Sequence, residues 1–213
     1  MLETLSTTSP YLEIIYCLAA VILAAVSIMG LRQLFLVKYD IKARYRRDAN
    51  HQAMELIDRY FNKYVPISNK HFNQEKKEHI PEYKGEIGDF SHFPKEYIEP
   101  ALARIPKNIE YLLATLNELE VISAGVNSGL ANEEVAFYAF GKSFHNSVRS
   151  NYDIIYVLRY GETVKHYNNI VDLYNRWDKR IKRIELESKK ADIDEALKKT
   201  IDERISAIGT DLK

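Results

Sequence analysis

One apolar stretch near the N-terminus restricts the fold of this chain more than any other feature. Residues Ile14 to Leu31, with the sequence IIYCLAAVILAAVSIMGL, contain no charged side chain. A helix needs about 20 mostly apolar residues to cross the hydrocarbon core of a bilayer, and apolar residues resume after Arg32 as far as Val37. We therefore predict a membrane-spanning helix over residues 10–37, after a short extracytoplasmic segment, residues 1–9.

The charges on either side of the span predict its orientation. Glu3 and Glu13 precede it, whereas a basic cluster follows it, formed by Lys38, Lys42, Arg44, Arg46 and Arg47. A cleaved signal peptide would carry its basic residues before the apolar run, so we predict a retained anchor. Lys and Arg stay on the cytoplasmic side of a membrane, so the N-terminus is expected outside and the remainder of the chain in the cytoplasm. The cluster would bind anionic headgroups or, in an assembly, form a cationic collar at the membrane mouth.

Small residues recur along one side of the span. Cys17, Ala20, Ala24 and Ser27 follow one another at steps of 3, 4 and 3, and Leu31 lies one turn further on. Such a seam lets helices approach closely in lipid and predicts a homo-oligomer, for example a tetramer, in which these residues pack or line a pore. The alternative is that alanine simply tolerates lipid. Cys17 is the single cysteine, which excludes a disulfide framework and a Cys-based metal site.

Beyond the span, the spacing of apolar residues is helical, and the alternation typical of strands does not persist. We predict an all-α fold in which the transmembrane helix continues into a basic juxtamembrane helix over residues 38–64. Residues 65–98 hold three of the six prolines and are predicted to be a loop. A cytoplasmic helical bundle over residues 99–188 and a C-terminal amphipathic helix over residues 189–213 complete the chain.

Within the bundle, Pro106 is predicted to open a helix that ends at Ala124, and Asn132 to cap a helix that runs to Tyr160. A further helix after Thr163 is expected to end at a charged hinge, residues 187–192. Its apolar seam predicts packing either within the bundle or between subunits, and is formed by Tyr167, Ile170, Tyr174, Trp177, Ile181 and Ile184.

The helix after Asn132 also carries a stripe of basic residues and of aromatic residues with polar tips. Its members recur at steps of 3, 4, 3, 4 and 3, and they are Lys142, His145, Arg149, Tyr152, Tyr156 and Arg159. Basic groups interleaved with aromatic rings are typical of surfaces that bind a phosphate backbone and stack its bases, so we predict an oligonucleotide or nucleotide ligand. The alternative is that the tyrosines cover the bundle while Lys142 and Arg149 pair with glutamates.

Catalysis has little support in the sequence. It contains no nucleophile elbow, phosphate-cradling glycine loop or kinase signature. His145 has no carboxylate one turn away to orient it, and Glu118 and Glu120 fall on different faces of their helix. The histidines at 71, 79 and 92 do not have the spacing of a metal site. We therefore expect no enzymatic activity, no cofactor and no metal.

The stretch from Leu116 to Ile181, roughly a third of the chain, resembles a known family. The resemblance is carried by LNELEVISAGVNSGLANEEVAFYAFGKSF, IIYVLR and YNNIVDLYNRW, with their Asn-Glu-Leu-Glu segment, Asn132-Glu133-Glu134, Phe140-Gly141 and Trp177. The family is a bacterial one known only as a domain of unknown function. The resemblance implies a small protein with one N-terminal membrane helix and a helical cytoplasmic part, located in the bacterial inner membrane. It implies no catalytic residue.

These observations lead to two hypotheses. The first is a homo-oligomeric membrane effector, a pore or ion channel gated by an anionic ligand in a chamber lined by the basic and aromatic stripe. Its architecture is similar to membrane effectors of anti-phage defence systems, in which a nucleotidyltransferase partner controls a small membrane protein. The second is a membrane-tethered helical module that recruits a cytoplasmic partner through the helices after Thr163.

Overall fold

The computed structural model describes residues 2–77, 79, 83, 85, 87–88, 90, 93–160 and 166–202. Regular structure in this part of the chain is entirely helical, which confirms the predicted all-α fold. Six α-helices, one π-helical turn and one 3-10 turn follow one another: α1 (Leu2–Arg59), the π turn (Tyr60–Tyr64), α2 (Val65–Lys77), the 3-10 turn (Lys95–Tyr97), α3 (Ile98–Asn127), α4 (Glu133–Ser150), α5 (Tyr152–Arg159) and α6 (Asn168–Asp202). The chain divides into two compact units, Met1–Ala49 and Asn50–Lys213.

The first unit is one continuous stretch of α1. Its apolar side chains are exposed from Leu12 to Val37, many by more than half, and none contributes to a core within the unit. Among the residues that the structure describes, one helical segment, Leu12–Lys77, is long and apolar enough to cross a membrane, and its most apolar window has a mean hydropathy of 2.6 with 0% buried. A soluble helix hides such a face against a core, so this segment is a candidate membrane span.

The second unit begins with the end of α1, and its helices extend further than predicted. The prediction of a loop from residue 65 is wrong as far as Lys77, because α2 occupies these residues. Pro66 falls in the first turn of α2, directly after the π turn, in which the Val65 N–H donates to the Tyr60 carbonyl. A proline ring needs room beside the carbonyl one turn earlier and offers no N–H, and a wider π turn accommodates both conditions. The helical rise therefore continues through the proline.

Helix α3 begins at Ile98, before the predicted start at Lys107, and continues through Pro106. Pro100 lies in its first turn, where a missing N–H costs nothing, and Ala101 is fully buried. Near the other end, a Cβ atom at Gly125 would lie 2.8 Å from a methyl carbon of Leu56. The glycine therefore permits α3 to pack closely against the end of α1 within the second unit.

The helix predicted from Asn132 to Tyr160 is two helices. Asn132 caps α4 as expected, since its side-chain oxygen accepts from the backbone N–H groups of Glu134 and Val135. The helix ends at Ser150, and Asn151 has non-helical backbone angles (φ −110°, ψ 16°) before α5 begins. A predicted stop at Gly161 lies outside the described residues.

The prediction of a hinge at residues 187–192 is wrong, because α6 is continuous there. The predicted boundary at residue 188 between the bundle and a separate C-terminal helix is therefore also wrong, since one helix extends to Asp202. Ion pairs one turn apart stabilise its charged part, with Arg183 Nε 3.7 Å from Glu187 Oε1 and Lys199 Nζ 2.8 Å from Glu195 Oε1. Residues 203–213 lie outside the described residues.

An aromatic core joins the helices of the second unit. Trp177 of α6 is fully buried against three phenylalanines of α4, Phe137, Phe140 and Phe144, with ring centroids 5.2–5.6 Å away. Phe140 also stacks on Tyr60 of the π turn at 4.5 Å. The predicted seam of α6 therefore packs within the bundle through Ile170, Tyr174 and Trp177, whereas Ile184 beyond it is 44% exposed.

Candidate functional site: an exposed apolar helix and a buried polar seam

The small residues of the span lie along a helix with no partner in its own unit. Cys17, Ala20, Ala24, Ser27 and Leu31 are all exposed, and the Ser27 hydroxyl donates to the Leu23 carbonyl of its own helix at 2.8 Å. A hydroxyl satisfied in this way can face lipid without an unpaired polar group. The geometry is compatible with both predicted uses of the seam, since helix packing and lipid contact need the same exposed face.

The basic cluster after the span is also exposed. Lys38, Lys42, Arg46 and Arg47 are open to solvent, and Arg44 pairs with Asp40 at 2.9 Å on the same face. An exposed pair of this kind is screened by water and leaves most of the positive charge of the cluster uncompensated.

The predicted basic and aromatic stripe does not form one exposed surface. Tyr152 is 1% exposed and its hydroxyl accepts from the Gly88 N–H at 3.1 Å, while Tyr156 is 8% exposed and stacks on Phe93 at 4.8 Å. The break at Asn151 interrupts the helical repeat on which the stripe depended. The two tyrosines are core residues and cannot stack on bases.

His145 is buried and has a carboxylate partner that the sequence did not indicate. Its Nε2 lies 2.9 Å from Asp178 Oδ1 of α6, and its ring stacks on Tyr174 at 4.9 Å. Burial, together with the Asp178 carboxylate, raises the pKa of Tyr174 to about 12. No carboxylate lies one turn from His145 on α4, as the sequence indicates, and the partner comes instead from α6.

The three remaining members of the stripe differ in their surroundings. Lys142 and Arg149 are exposed on α4, whereas the Arg159 guanidinium donates to the His166 carbonyl and to Asn168 Oδ1, and so fastens the end of α5 to the start of α6. The structure therefore brings only Lys142 and Arg149 to the surface together, and the predicted six-residue site is not assembled within one chain.

A second group of polar residues is buried between the π turn with α2 and the helices α4 and α5. We call it the polar seam. Its buried members are Tyr60, Tyr64, Ser68, His71, Glu75 and Asn151, and the exposed Ser143 and the half-buried Ser147 of α4 lie at its edge. The Tyr60 hydroxyl donates to Ser143 Oγ at 2.8 Å, and the Asn151 amide donates to the Ser147 carbonyl at 2.9 Å. The first contact joins the π turn to α4, and the second lies at the break between α4 and α5.

At the break, His71 Nε2 lies 3.3 Å from Asn151 Oδ1 and 3.6 Å from Glu75 Oε2. Burial raises the pKa of Tyr60 to about 12, against the lowering effect of its bond to Ser143. Buried polar groups must be paired, so the seam fixes how α2 meets the junction of α4 and α5. Within the described residues no three His, Cys, Asp or Glu side chains are grouped to hold a metal ion.

Sequence reasoning missed the polar seam because it placed His71 and Glu75 in a loop. The signal was available in the spacing of Tyr60, Tyr64, Ser68, His71 and Glu75, at steps of 4, 4, 3 and 4 on one helix face. The prolines at 66 and 81 outweighed that periodicity in the prediction.

Three carboxylates join the helices of the bundle, and they belong to the motifs that carry the resemblance described above. Glu118 accepts from Arg59 Nε at 2.8 Å and lies 2.6 Å from Lys63 Nζ. Glu120, on another face of α3, accepts from the N–H groups of Asn169 and Ile170 at the start of α6, where a negative charge stabilises the helix. Glu133 accepts from Arg176 Nε and Trp177 Nε1, both at 2.8 Å.

Within the described residues, the fold and these sites define a class: an all-α protein with one candidate membrane span and a helical bundle held together by an aromatic core and half-buried carboxylates. Over residues 14–177 the chain matches the family described as Domain of unknown function (DUF4760). The chain therefore belongs to the DUF4760 family, and the match extends well beyond the third on which the resemblance was based. No curated protein and no solved structure matches the chain.

Proposed function

We propose that the protein is a membrane-anchored interaction module, with its N-terminus outside and its helical bundle in the cytoplasm of a bacterial cell. The observation that carries the proposal is the apolar segment 12–37, exposed along an unbroken helix and followed by an exposed basic cluster. Water would make so large an apolar surface unfavourable, and a bilayer would cover it. The basic cluster on the C-terminal side supports the orientation.

The test is membrane extraction of the full chain with and without charge in the span. Leu23→Arg combined with Val26→Arg places two charges near the middle of the segment, at a cost of about 3 kcal/mol each on insertion scales. The double variant should leave the membrane pellet after alkaline carbonate treatment. Tyr39→Arg, at an exposed position beyond the span, is the control and should stay in the pellet. Retention of the double variant in the pellet would contradict the anchor.

Orientation is tested separately with fusions. Alkaline phosphatase at the N-terminus should be active, and a fluorescent protein at the C-terminus should fluoresce, since the first needs the periplasm and the second the cytoplasm. An inactive phosphatase with a dark C-terminal reporter would reverse the proposed topology.

The interaction role rests on the part of α6 beyond the core. From Ile184 to Lys199 this helix is exposed along its length, and its exposed apolar residues include Leu186, Ile193 and Leu197. We include no catalytic activity in the proposal, because the acidic residues of the family motifs are engaged in holding the bundle.

A second candidate function is the homo-oligomeric pore of an anti-phage effector controlled by a nucleotidyltransferase partner. The seam of small residues favours it, since Cys17, Ala20 and Ala24 are all exposed on one continuous helix. The buried Tyr152 and Tyr156 weaken its predicted oligonucleotide chamber. Planar-bilayer recordings of the purified full chain separate the two candidates, because a pore conducts and an interaction module does not.

A further inference from the structure

We propose that a groove along α6 is a binding site for a small molecule that bears phosphate groups. The groove has a volume of about 660 Å³ and lies between the face of α6 and the start of α4. Its cationic lining comes from four residues at steps of 3, 1 and 3 on one side of the helix, Arg176, Lys179, Arg180 and Arg183. This inference goes beyond the anchoring role, because it concerns only the second unit.

Arg180 is held in place by the core. Its guanidinium lies 3.9 Å from the ring centroid of Phe137 and 5.3 Å from that of Tyr138, and its side chain is 24% exposed. The nearest carboxylate, Glu134, is 3.9 Å away, at the limit of an ion pair. A guanidinium stacked by its face keeps its in-plane N–H donors for a ligand, and its fixed position lowers the entropy cost of binding.

The acidic residues around the groove do not neutralise it. Glu133 is shared between Arg176 and Trp177, and Asp172 is the other carboxylate in the lining. Lys179 makes no ion pair with any residue that the structure describes. The pair between Arg183 and Glu187 is 3.7 Å long and about 70% exposed on both sides, so solvent screens it. The lining therefore carries an excess of positive charge.

This combination suits a phosphate-bearing molecule. Guanidinium groups bind phosphate oxygens through paired hydrogen bonds, and several cations within two helical turns match a ligand with more than one negative charge. The volume lies in the range of about 300–1,000 Å³ found for small-molecule sites. The groove is separate from the predicted stripe, whose exposed members Lys142 and Arg149 lie on α4.

The chain provides its own reporter for a binding experiment. Trp177 is the single tryptophan, it lines the groove, and its Nε1 donates to Glu133. Inorganic pyrophosphate is titrated into the full chain in nanodiscs of zwitterionic lipid, and tryptophan fluorescence is followed. We expect a saturable change in the wild-type protein.

Two double variants with the same change of charge test the location. Lys179→Glu with Arg183→Glu should weaken pyrophosphate binding by about tenfold or more, since charge-assisted contacts are lost and repulsion is added. Lys70→Glu with Lys142→Glu is the matched control, at exposed positions on α2 and α4, and should change the affinity by less than about twofold. Thermal unfolding of both variants verifies that each remains folded.

Nanodiscs that contain phosphatidylglycerol identify the source of the phosphate. If headgroups occupy the groove, pyrophosphate binds the wild-type protein more weakly in these discs, and equal affinity in both kinds of disc assigns the site to a soluble molecule. Either result agrees with a phosphate site. The absence of a saturable fluorescence change, or equal weakening by the two double variants, would overturn the proposal.

Discussion

At the scale of single residues, three carboxylates of the bundle stabilise the fold through ion pairs and hydrogen bonds to residues that are mostly distant in the sequence. For Glu118 and Glu133, burial by itself raises the pKa, but hydrogen bonds and charges from Arg59 with Lys63, and from Arg176 with Trp177, outweigh it and lower the pKa below the ordinary value. Asp178 behaves in the same way. Burial is opposed there by Lys182 and His145, and the net pKa is lowered. Each carboxylate is thus stabilised in its charged form by the folded state.

The pH dependence of stability follows from these directions. A lowered pKa in the folded state contributes stability above the ordinary value, which is 4.5 for Glu118, and this contribution is lost as the pH falls through the lowered pKa. We expect the free energy of unfolding of the full chain in detergent to be level near pH 7 and to fall below about pH 4.5. Guanidinium titrations followed by Trp177 fluorescence measure it.

Glu118→Gln is the variant for this prediction. It should lower stability at pH 7 by roughly 0.5–1 kcal/mol, because the ion pairs with Arg59 and Lys63 are partly exposed, and it should reduce the loss of stability in acid. Glu110→Gln, at an exposed position on the same helix, should do neither. An acid profile of Glu118→Gln that matches the wild type would contradict the role of the pair.

At the scale of elements, the polar seam and the break at Asn151 determine how the helices join. The sequence predicted one helix from Asn132 to Tyr160 because the apolar and polar repeats continue in phase across Asn151. Local periodicity does not reveal that the Asn151 side chain hydrogen-bonds to the Ser147 carbonyl and to His71. Asparagine competes with the helical backbone for such bonds, and the tertiary partner tips the balance.

Replacement of this asparagine tests the seam. Asn151→Ala should destabilise the full chain by about 1–3 kcal/mol, because the buried His71 imidazole and the Ser147 carbonyl each lose a partner. Asn146→Ala, at an exposed position on α4, is the control and should stay within about 0.5 kcal/mol of the wild type. Thermal unfolding in detergent measures both. Equal stability of the two variants would show that the seam does not hold the junction.

At the scale of the whole molecule, the second candidate function predicts that copies of the chain associate in the membrane through the seam of small residues. Light scattering of the detergent-solubilised chain should give a protein mass that is a multiple of 24.8 kDa. Ala20→Ile with Ala24→Ile should reduce that mass, since larger side chains separate helices that pack through small residues. Ala19→Ile with Ala25→Ile, at positions outside the seam of small residues, should leave the mass unchanged. A wild-type mass of one subunit would contradict self-association.

The sequence by itself determined the features that depend on neighbours along the chain. The exposed apolar helix, the all-α fold, the Asn132 cap and the buried spacing of Ile170, Tyr174 and Trp177 all follow from local periodicity, which the structure preserves. Solvent and helical geometry act on these patterns directly, so the patterns predict structure without knowledge of tertiary contacts.

Only the tertiary structure decided which polar residues face water. Lys142 and Tyr152 belong to the same helical repeat, yet Lys142 is exposed and Tyr152 lies in the core. The difference arises because α6 and the segment near Phe93 cover part of the stripe. Contacts between distant residues, such as His145 with Asp178 and His71 with Asn151, give no signal in one sequence. Burial is a property of what packs against a helix, and that packing is not encoded in the helix alone.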